Sequence, residues 1–153
     1  LADIILSKDA RMSQEPAKDI SDPFKPTILV VDDEEKTRHI LKINLQEKYQ
    51  VLQAQNGLEA LSLFQHEPIH LVLTDLRMPV MSGLDLLLKM QELNLHIPVI
   101  IITAYGTVEN AVEAMKKGAY DYILKPIKID ELELTIEKSL NYGKLLNENF
   151  YLR

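Results

Sequence analysis

Cysteine is absent from all 153 residues, which removes disulfides, thiol redox chemistry and cysteine-ligated zinc together. Long apolar runs are missing as well: none approaches the roughly 20 residues that a membrane span needs. The triplet Ile4-Ile5-Leu6, flanked by Asp3 and Asp9, is too short for a signal-peptide core. The expected setting is therefore cytoplasmic, without membrane contact. Nor is there a basic excess, because 17 Lys and Arg stand against 23 Asp and Glu for a net charge of −6. That balance offers no footprint for the counterion release that drives nucleic-acid binding, so direct nucleic-acid contact by this chain is not expected. His39, His66, His70 and His96 are scattered without ligand spacing, which argues against a histidine metal site or a phosphohistidine.

What is present suits one globular domain with appendages. Residues 1–26 mix charges with Pro16, Pro23 and Pro26 and show no sustained period, so they read as an extension or linker. The first residue is leucine, which suggests a processed terminus or added residues. From Thr27 onward, short apolar runs alternate with amphipathic stretches. The runs are Ile28–Val31, Val51-Leu52, Leu71–Leu73, Val99–Ile102 and Tyr120–Leu124, several of them apolar throughout, as parallel strands covered on both faces require. Between them lie helical spacings at Ile40, Leu41, Asn44, Leu45; at Ala60, Leu61, Phe64; at Leu84, Leu87, Leu88; and at Val108, Ala111, Val112, Met115. Asn56-Gly57 marks a turn after the second strand, and Lys116-Lys117-Gly118 places cations in a last helical turn before a glycine stop. Five βα units joined by right-handed crossovers predict an α/β, doubly wound parallel sheet, a fold that binds ligands beyond the carboxyl ends of its strands.

Polar residues stand at those ends: Asp32-Asp33 after the first strand, Asp75 after the third, Thr103 after the fourth and Lys125 after the fifth. Each alone has an ordinary explanation. Asp33 ahead of Glu34-Glu35 could cap a helix, Asp75 could open a turn completed by Met78-Pro79, Thr103 could merely end a strand, and Lys125 could be a solvated cation. Their convergence on one rim changes the reading. Carboxylates crowded there repel by about 4 kcal/mol per pair at 4 Å and an effective dielectric near 20, a penalty that a divalent cation removes. All-oxygen ligation suits Mg²⁺. Asp75 can then act as an attacking carboxylate, with Mg²⁺, the Lys125 ammonium and the Thr103 hydroxyl meeting the charge of a transferring phosphoryl group.

The blocks Ile28-Leu29-Val30-Val31-Asp32-Asp33-Glu34, Leu73-Thr74-Asp75-Leu76-Arg77-Met78-Pro79, Gly83, Ile102-Thr103-Ala104 and Tyr122-Ile123-Leu124-Lys125-Pro126 resemble, in order and spacing, those of receiver domains of two-component response regulators. The resemblance covers residues 27–140 and implies a five-stranded, flavodoxin-like sheet of strand order 2-1-3-4-5. It implies Asp75 as the phosphoacceptor, Asp33 as a direct Mg²⁺ ligand, Asp32 as a largely water-mediated one and the Arg77 backbone carbonyl as another. Lys125 would pair with the phosphoryl group, Thr103 would hydrogen-bond to it, Tyr122 would reorient on activation, and the Lys125-Pro126 bond would be cis.

The implied donor is a sensor histidine kinase, and the domain would be a switch that catalyses only its own phosphorylation and dephosphorylation. Two rivals are an aspartate-nucleophile phosphatase, disfavoured by Arg at position 77 where a second acid is common, and a docking module with an inert Asp75. Residues 141–153 keep helical character despite Gly143 and resemble the linker to the AAA+ domain of NtrC-like, sigma-factor-activating transcriptional regulators. An AAA+ and DNA-binding output domain, absent from this chain, is thus expected, with control of transcription as the outcome. Leu132, Ile136, Leu140, Leu146 and Phe150 form a stripe longer than one sheet can cover, and with the section beyond Leu140 projecting, a homodimer through this helix is expected.

Overall fold

A computed structural model of the chain describes residues 25–151, with side chains through Asn147. The expected extension therefore falls, but for Lys25 and Pro26, outside the described residues, as does the Phe150 side chain. Five strands alternate with five helices: β1 (Thr27–Val31), α1 (Glu35–Leu45), β2 (Gln50–Ala54), α2 (Gly57–Phe64), β3 (Leu71–Thr74), α3 (Gly83–Glu92), β4 (Val99–Thr103), α4 (Val108–Lys116), β5 (Asp121–Leu124) and α5 (Ile129–Tyr151). All strand pairs are parallel and the order is β2-β1-β3-β4-β5.

Strand alternation divides the interior into two cores. Leu29, Val31, Val72, Val99 and Ile101 face Ala60 of α2, Leu86, Leu87 and Met90 of α3, and Ala114 of α4. Ile28, Val30, Leu71, Leu73, Ile100 and Ile102 face Leu41 and Leu45 of α1 and Leu132 and Ile136 of α5. β1, β3 and β4 are buried on both faces, which is why their sequences are apolar without alternation. Each such Val, Leu or Ile contributes roughly 1.5–3 kcal/mol on burial.

Three helix starts carry side-chain caps. Asn56, Ser82 and Thr107 accept from the N–H groups of Glu59, Asp85 and Asn110. Asn56-Gly57 is thus the cap and first residue of α2 rather than a free-standing turn. Two of the sequence spacings face differently from expectation. In α1 only Leu41 and Leu45 of the four positions are buried, with Ile40 turned outward. In α4 the apolar positions Val108, Val112 and Met115 are exposed and Ala114 alone is buried. A small residue there lets the helix lie close to the sheet.

α5 runs unbroken to Tyr151. Gly143 is no interruption: a Cβ there would lie 3.1 Å from Pro98 Cδ, so its lack of a side chain permits the helix to press on the start of β4. At the preceding residue the Tyr142 ring lies 5.5 Å from that of Tyr120. The helix beyond Leu140 therefore packs on the domain before it leaves it, which corrects the expectation that this section simply projects.

Candidate functional site

β1 and β3 are adjacent, and the chain reverses its direction of winding between them, which creates the crevice where such sheets bind ligands. Register does the positioning. Val31 pairs with Thr74, so Asp32 and Asp75 emerge side by side. Thr74 pairs with Ile101, which leaves Thr103 just past the same level, and Thr103 pairs with Leu124, which delivers Lys125 to the rim. The Lys125-Pro126 bond is cis.

The three carboxylates of Asp32, Asp33 and Asp75 each offer an oxygen within 4.8 Å of the others. Asp32 and Asp75 are buried, while Asp33 is exposed. Asp32 uses both oxygens: Oδ1 accepts from the Glu34 N–H at 2.8 Å and Oδ2 from Lys125 Nζ at 3.1 Å. Asp75 Oδ1 accepts from the Leu76 N–H at 2.6 Å, and Oδ2 lies 3.4 Å from Lys125 Nζ. Burial pushes the Asp32 carboxyl above its usual range against the opposing pull of the Glu34 amide and Lys125. Burial also works against the Lys125 charge, but the Asp32 and Asp75 carboxylates outweigh it and hold the ammonium above its usual value. With all three acids ionised and one lysine charged, the cluster carries −2, the complement of one divalent cation.

The donor set fits Mg²⁺. Two oxygens bound directly at about 2.1 Å can be at most about 4.2 Å apart. The three acids each offer an oxygen within 4.8 Å of the others, and with both Asp32 oxygens already engaged the set leaves room for waters in the remaining positions.

The loop after Asp75 is held from behind. Gly83 donates its N–H to the Leu76 carbonyl at 2.9 Å, and a Cβ on Gly83 would lie 2.2 Å from the Asp75 carbonyl oxygen. Only glycine permits this approach. Farther along, Met81 donates to the Pro79 carbonyl at 2.8 Å around Val80, whose φ is 75°. This is a strained γ-turn, centred on an exposed β-branched residue.

Thr103 is fully buried, and its Oγ1 accepts from the Tyr105 N–H at 3.2 Å. The hydroxyl hydrogen is left to donate elsewhere. The Tyr122 hydroxyl donates to the Tyr105 carbonyl, and its pKa is raised by burial, with Arg77 opposing and Asp75 reinforcing the shift. The Arg77 guanidinium carbon lies 4.1 Å from the centre of the Tyr105 ring.

The structure thus gathers Asp32, Asp33, Asp75 and Lys125 into one contact group, with Thr103 and Tyr122 linked to it through the β4–α4 loop. Two contributors escaped the sequence. Arg38 donates to the Asp32 carbonyl at 2.7 Å, and Tyr105 joins Thr103, Tyr122 and Arg77. Tyr105 lies 28 positions from Arg77, and only the sheet order brings them together, while Arg38 is six positions from Asp32 but reads as an ordinary charged helix residue.

Comparison with known proteins agrees with this geometry. The chain is 44% identical over 119 residues to the transcriptional regulatory protein ZraR of Klebsiella oxytoca, covering 77% of this chain and 27% of that protein. It is 40% identical to the regulatory protein AtoC of Escherichia coli, covering 79% and 26%. It thus spans about a quarter of the length of these relatives. Among solved structures, a response regulator receiver domain protein from Clostridium thermocellum superimposes with a TM-score of 0.74 at 37% identity, covering 79% of this chain and 98% of that one. NtrX from Brucella abortus superimposes with a TM-score of 0.78 at 34% identity, covering 85% and 30%. Residues 28–137 match the family model of the response regulator receiver domain, and the chain belongs to that family.

Proposed function

We propose that this domain is a phosphorylation-controlled switch that accepts a phosphoryl group on Asp75 from a sensor histidine kinase. The observation that carries the reading is the buried Asp75 carboxylate within 3.4 Å of Lys125 Nζ, inside an acidic cluster with an unbalanced charge of −2. A carboxylate oxygen of Asp75 attacks phosphorus, an O–P bond forms, the P–N bond to the donor histidine breaks, and the imidazole leaves with the bonding electron pair. Lys125, already paired with Asp75, follows the negative charge as it moves onto the phosphoryl oxygens. The Thr103 hydroxyl, its oxygen already accepting from Tyr105, donates to one of those oxygens. Asp33 and the Arg77 carbonyl would hold Mg²⁺ together with Asp75, and Asp32 through water. Bound there, the ion supplies neutralisation of the acids and of the charge developing on the phosphoryl group.

The output follows from the Thr103/Tyr122 pair, whose rearrangement alters the neighbouring α4 face with its exposed Val108, Val112 and Met115. Relatives about three times as long as this chain, one named a transcriptional regulatory protein and one a regulatory protein, support an output domain beyond residue 153, of AAA+ and DNA-binding type, in a cytoplasmic protein. Residues 27–140 would form the switch, 1–26 an extension and 141–153 the helical connection to that output. Exposed Leu145 and Leu146 support pairing of two copies through α5, and Leu145→Asp should convert a sedimenting dimer to a monomer. A monomeric parent chain would remove the dimer from this account.

Incubation with acetyl phosphate tests the switch reading. One phosphoryl mass per chain is expected with Mg²⁺ and none with EDTA. Equal labelling in both would contradict the metal assignment.

A further inference from the structure

Three independent contacts meet at Tyr105, a residue with no assigned role. Its N–H donates to Thr103 Oγ1, its carbonyl accepts from the Tyr122 hydroxyl, and its ring carries the Arg77 guanidinium at 4.1 Å. The first two contacts use the backbone and reach both members of the proposed switch pair. The third uses the side chain and reaches back to the acceptor loop, two residues beyond Asp75. Among the described residues Arg77 makes no ion pair with a carboxylate, so the cation is parked on a π face beside an acidic cluster. A cation on an exposed ring is weakly held. An acyl phosphate carries roughly −1.5 to −2 charge in place of the carboxylate's −1 and presents three strong acceptor oxygens, which compete for that guanidinium far more effectively than the ring does.

We propose that Tyr105 is a positioning residue that couples charge at Asp75 to the Thr103/Tyr122 pair through Arg77. Phosphorylation draws the guanidinium off the ring, and the freed ring releases the 104–107 loop, which changes the carbonyl that Tyr122 grips. This rests on Asp75 being the acceptor. The arrangement explains why an aromatic residue, 45% exposed, stands in the short loop between β4 and α4. The ring has no core to fill there. Its face is used by Arg77, and its hydroxyl has no part in the coupling.

The test uses the full chain labelled with 3-fluorotyrosine, with the ¹⁹F resonance of Tyr122 assigned through Tyr122→Phe and followed before and after acetyl phosphate with Mg²⁺. In the parent chain the Tyr122 signal should shift on labelling. Tyr105→Phe keeps the ring and both backbone contacts, and should keep the full shift. Tyr105→Leu removes only the ring face and should reduce the shift to about a third or less while the chain still labels, and Arg77→Met should reduce it similarly. A melting curve for Tyr105→Leu close to that of the parent confirms that the fold is intact. Coupling through Tyr105 is overturned if labelled Tyr105→Leu shows the parental shift, if Tyr105→Phe is as defective as Tyr105→Leu, or if the Tyr122 signal of the labelled parent does not move. Labelling that survives Asp75→Asn overturns the acceptor reading itself, and the coupling with it. Normal labelling at Asp75 with an undiminished shift in Tyr105→Leu leaves the acceptor standing and removes only the coupling.

Discussion

At the amino ends of β4 and β5, Pro98 lies against Gly143 and Tyr120 against Tyr142, so the contacts there are apolar, close and free of charge conflict. At the carboxyl ends, three carboxylates share a space 4.8 Å across with one lysine, two of them buried, and the loop behind them contains a valine at φ 75°. One end of the sheet is built for stability. The other keeps buried charge and backbone strain that a protein selected for stability alone would shed, and it can do so because the two cores beneath supply the surplus.

Breaking the stable region gives the largest expected effect. Ile136→Ala, at a fully buried anchor of α5, should destabilise the domain by roughly 3 kcal/mol, or about 10 °C in Tm. Acetyl phosphate labelling of the molecules that remain folded should be unaffected. A loss of labelling in proportion greater than the loss of fold would mean the two regions are not separable.

Gly143→Val is next. A Cβ at 3.1 Å from Pro98 is tight for alanine and too close for a branched side chain, and overpacking of this kind costs about 1–3 kcal/mol. A Tm equal to that of the parent would place α5 farther from the sheet than described.

Substitutions at the carboxyl end should act in the opposite direction. Burial raises the Asp32 pKa in the folded state, so the folded protein prefers the protonated acid. The stability this preference supplies is present below the ordinary carboxylate value of 3.8 and is lost as pH rises through the higher folded value. At pH 7 the ionised side chain is therefore a liability in the metal-free protein. Asp32→Asn should raise the metal-free Tm at pH 7 by a few degrees, on the order of 1 kcal/mol, while Mg²⁺ should stabilise the parent more than the variant. A lower metal-free Tm in Asp32→Asn would show that the Lys125 pairing outweighs the burial of the acid.

The smallest effect is expected at Val80. Glycine adopts positive φ without the Cβ penalty, so Val80→Gly should be neutral to stabilising by up to about 1 kcal/mol. Destabilisation in thermal melts would show that the γ-turn is relaxed rather than strained.

The same contrast explains what could be read in the sequence. The two-faced cores write themselves as uninterrupted runs such as Val99–Ile102, so the strands and the doubly wound class were legible from the runs, the strand order from the resemblance to receiver domains, and the polar residues at the strand ends from their positions. The β2 run extends to Gln50 and Ala54 at an edge, where polar residues dilute the pattern. The α4 stripe misleads because Val108, Val112 and Met115 have helical spacing but face solvent, and apolar periodicity records a face without recording what covers it. Gly143 counts against a helix on propensity alone. Its contact with Pro98 reverses that inference, and it depends on a pairing 45 residues apart that no local window contains. Tyr105 was invisible for the same reason, whereas Arg38 lies only six residues from Asp32 and was missed because a charged residue on a helix carries no mark of the carbonyl it bonds.

The central claim, that the acidic end of the sheet exists to make an acyl phosphate at Asp75, is tested most directly by trapping the bond itself. The chain would be incubated with acetyl phosphate and Mg²⁺, reduced with borohydride, which converts an aspartyl phosphate to homoserine, and mapped by peptide mass spectrometry. The account predicts homoserine at position 75 and nowhere else, and no trapped product in Asp75→Asn. An unaltered aspartate at position 75 in a chain that carries the phosphoryl mass, or homoserine at another acid, would contradict it.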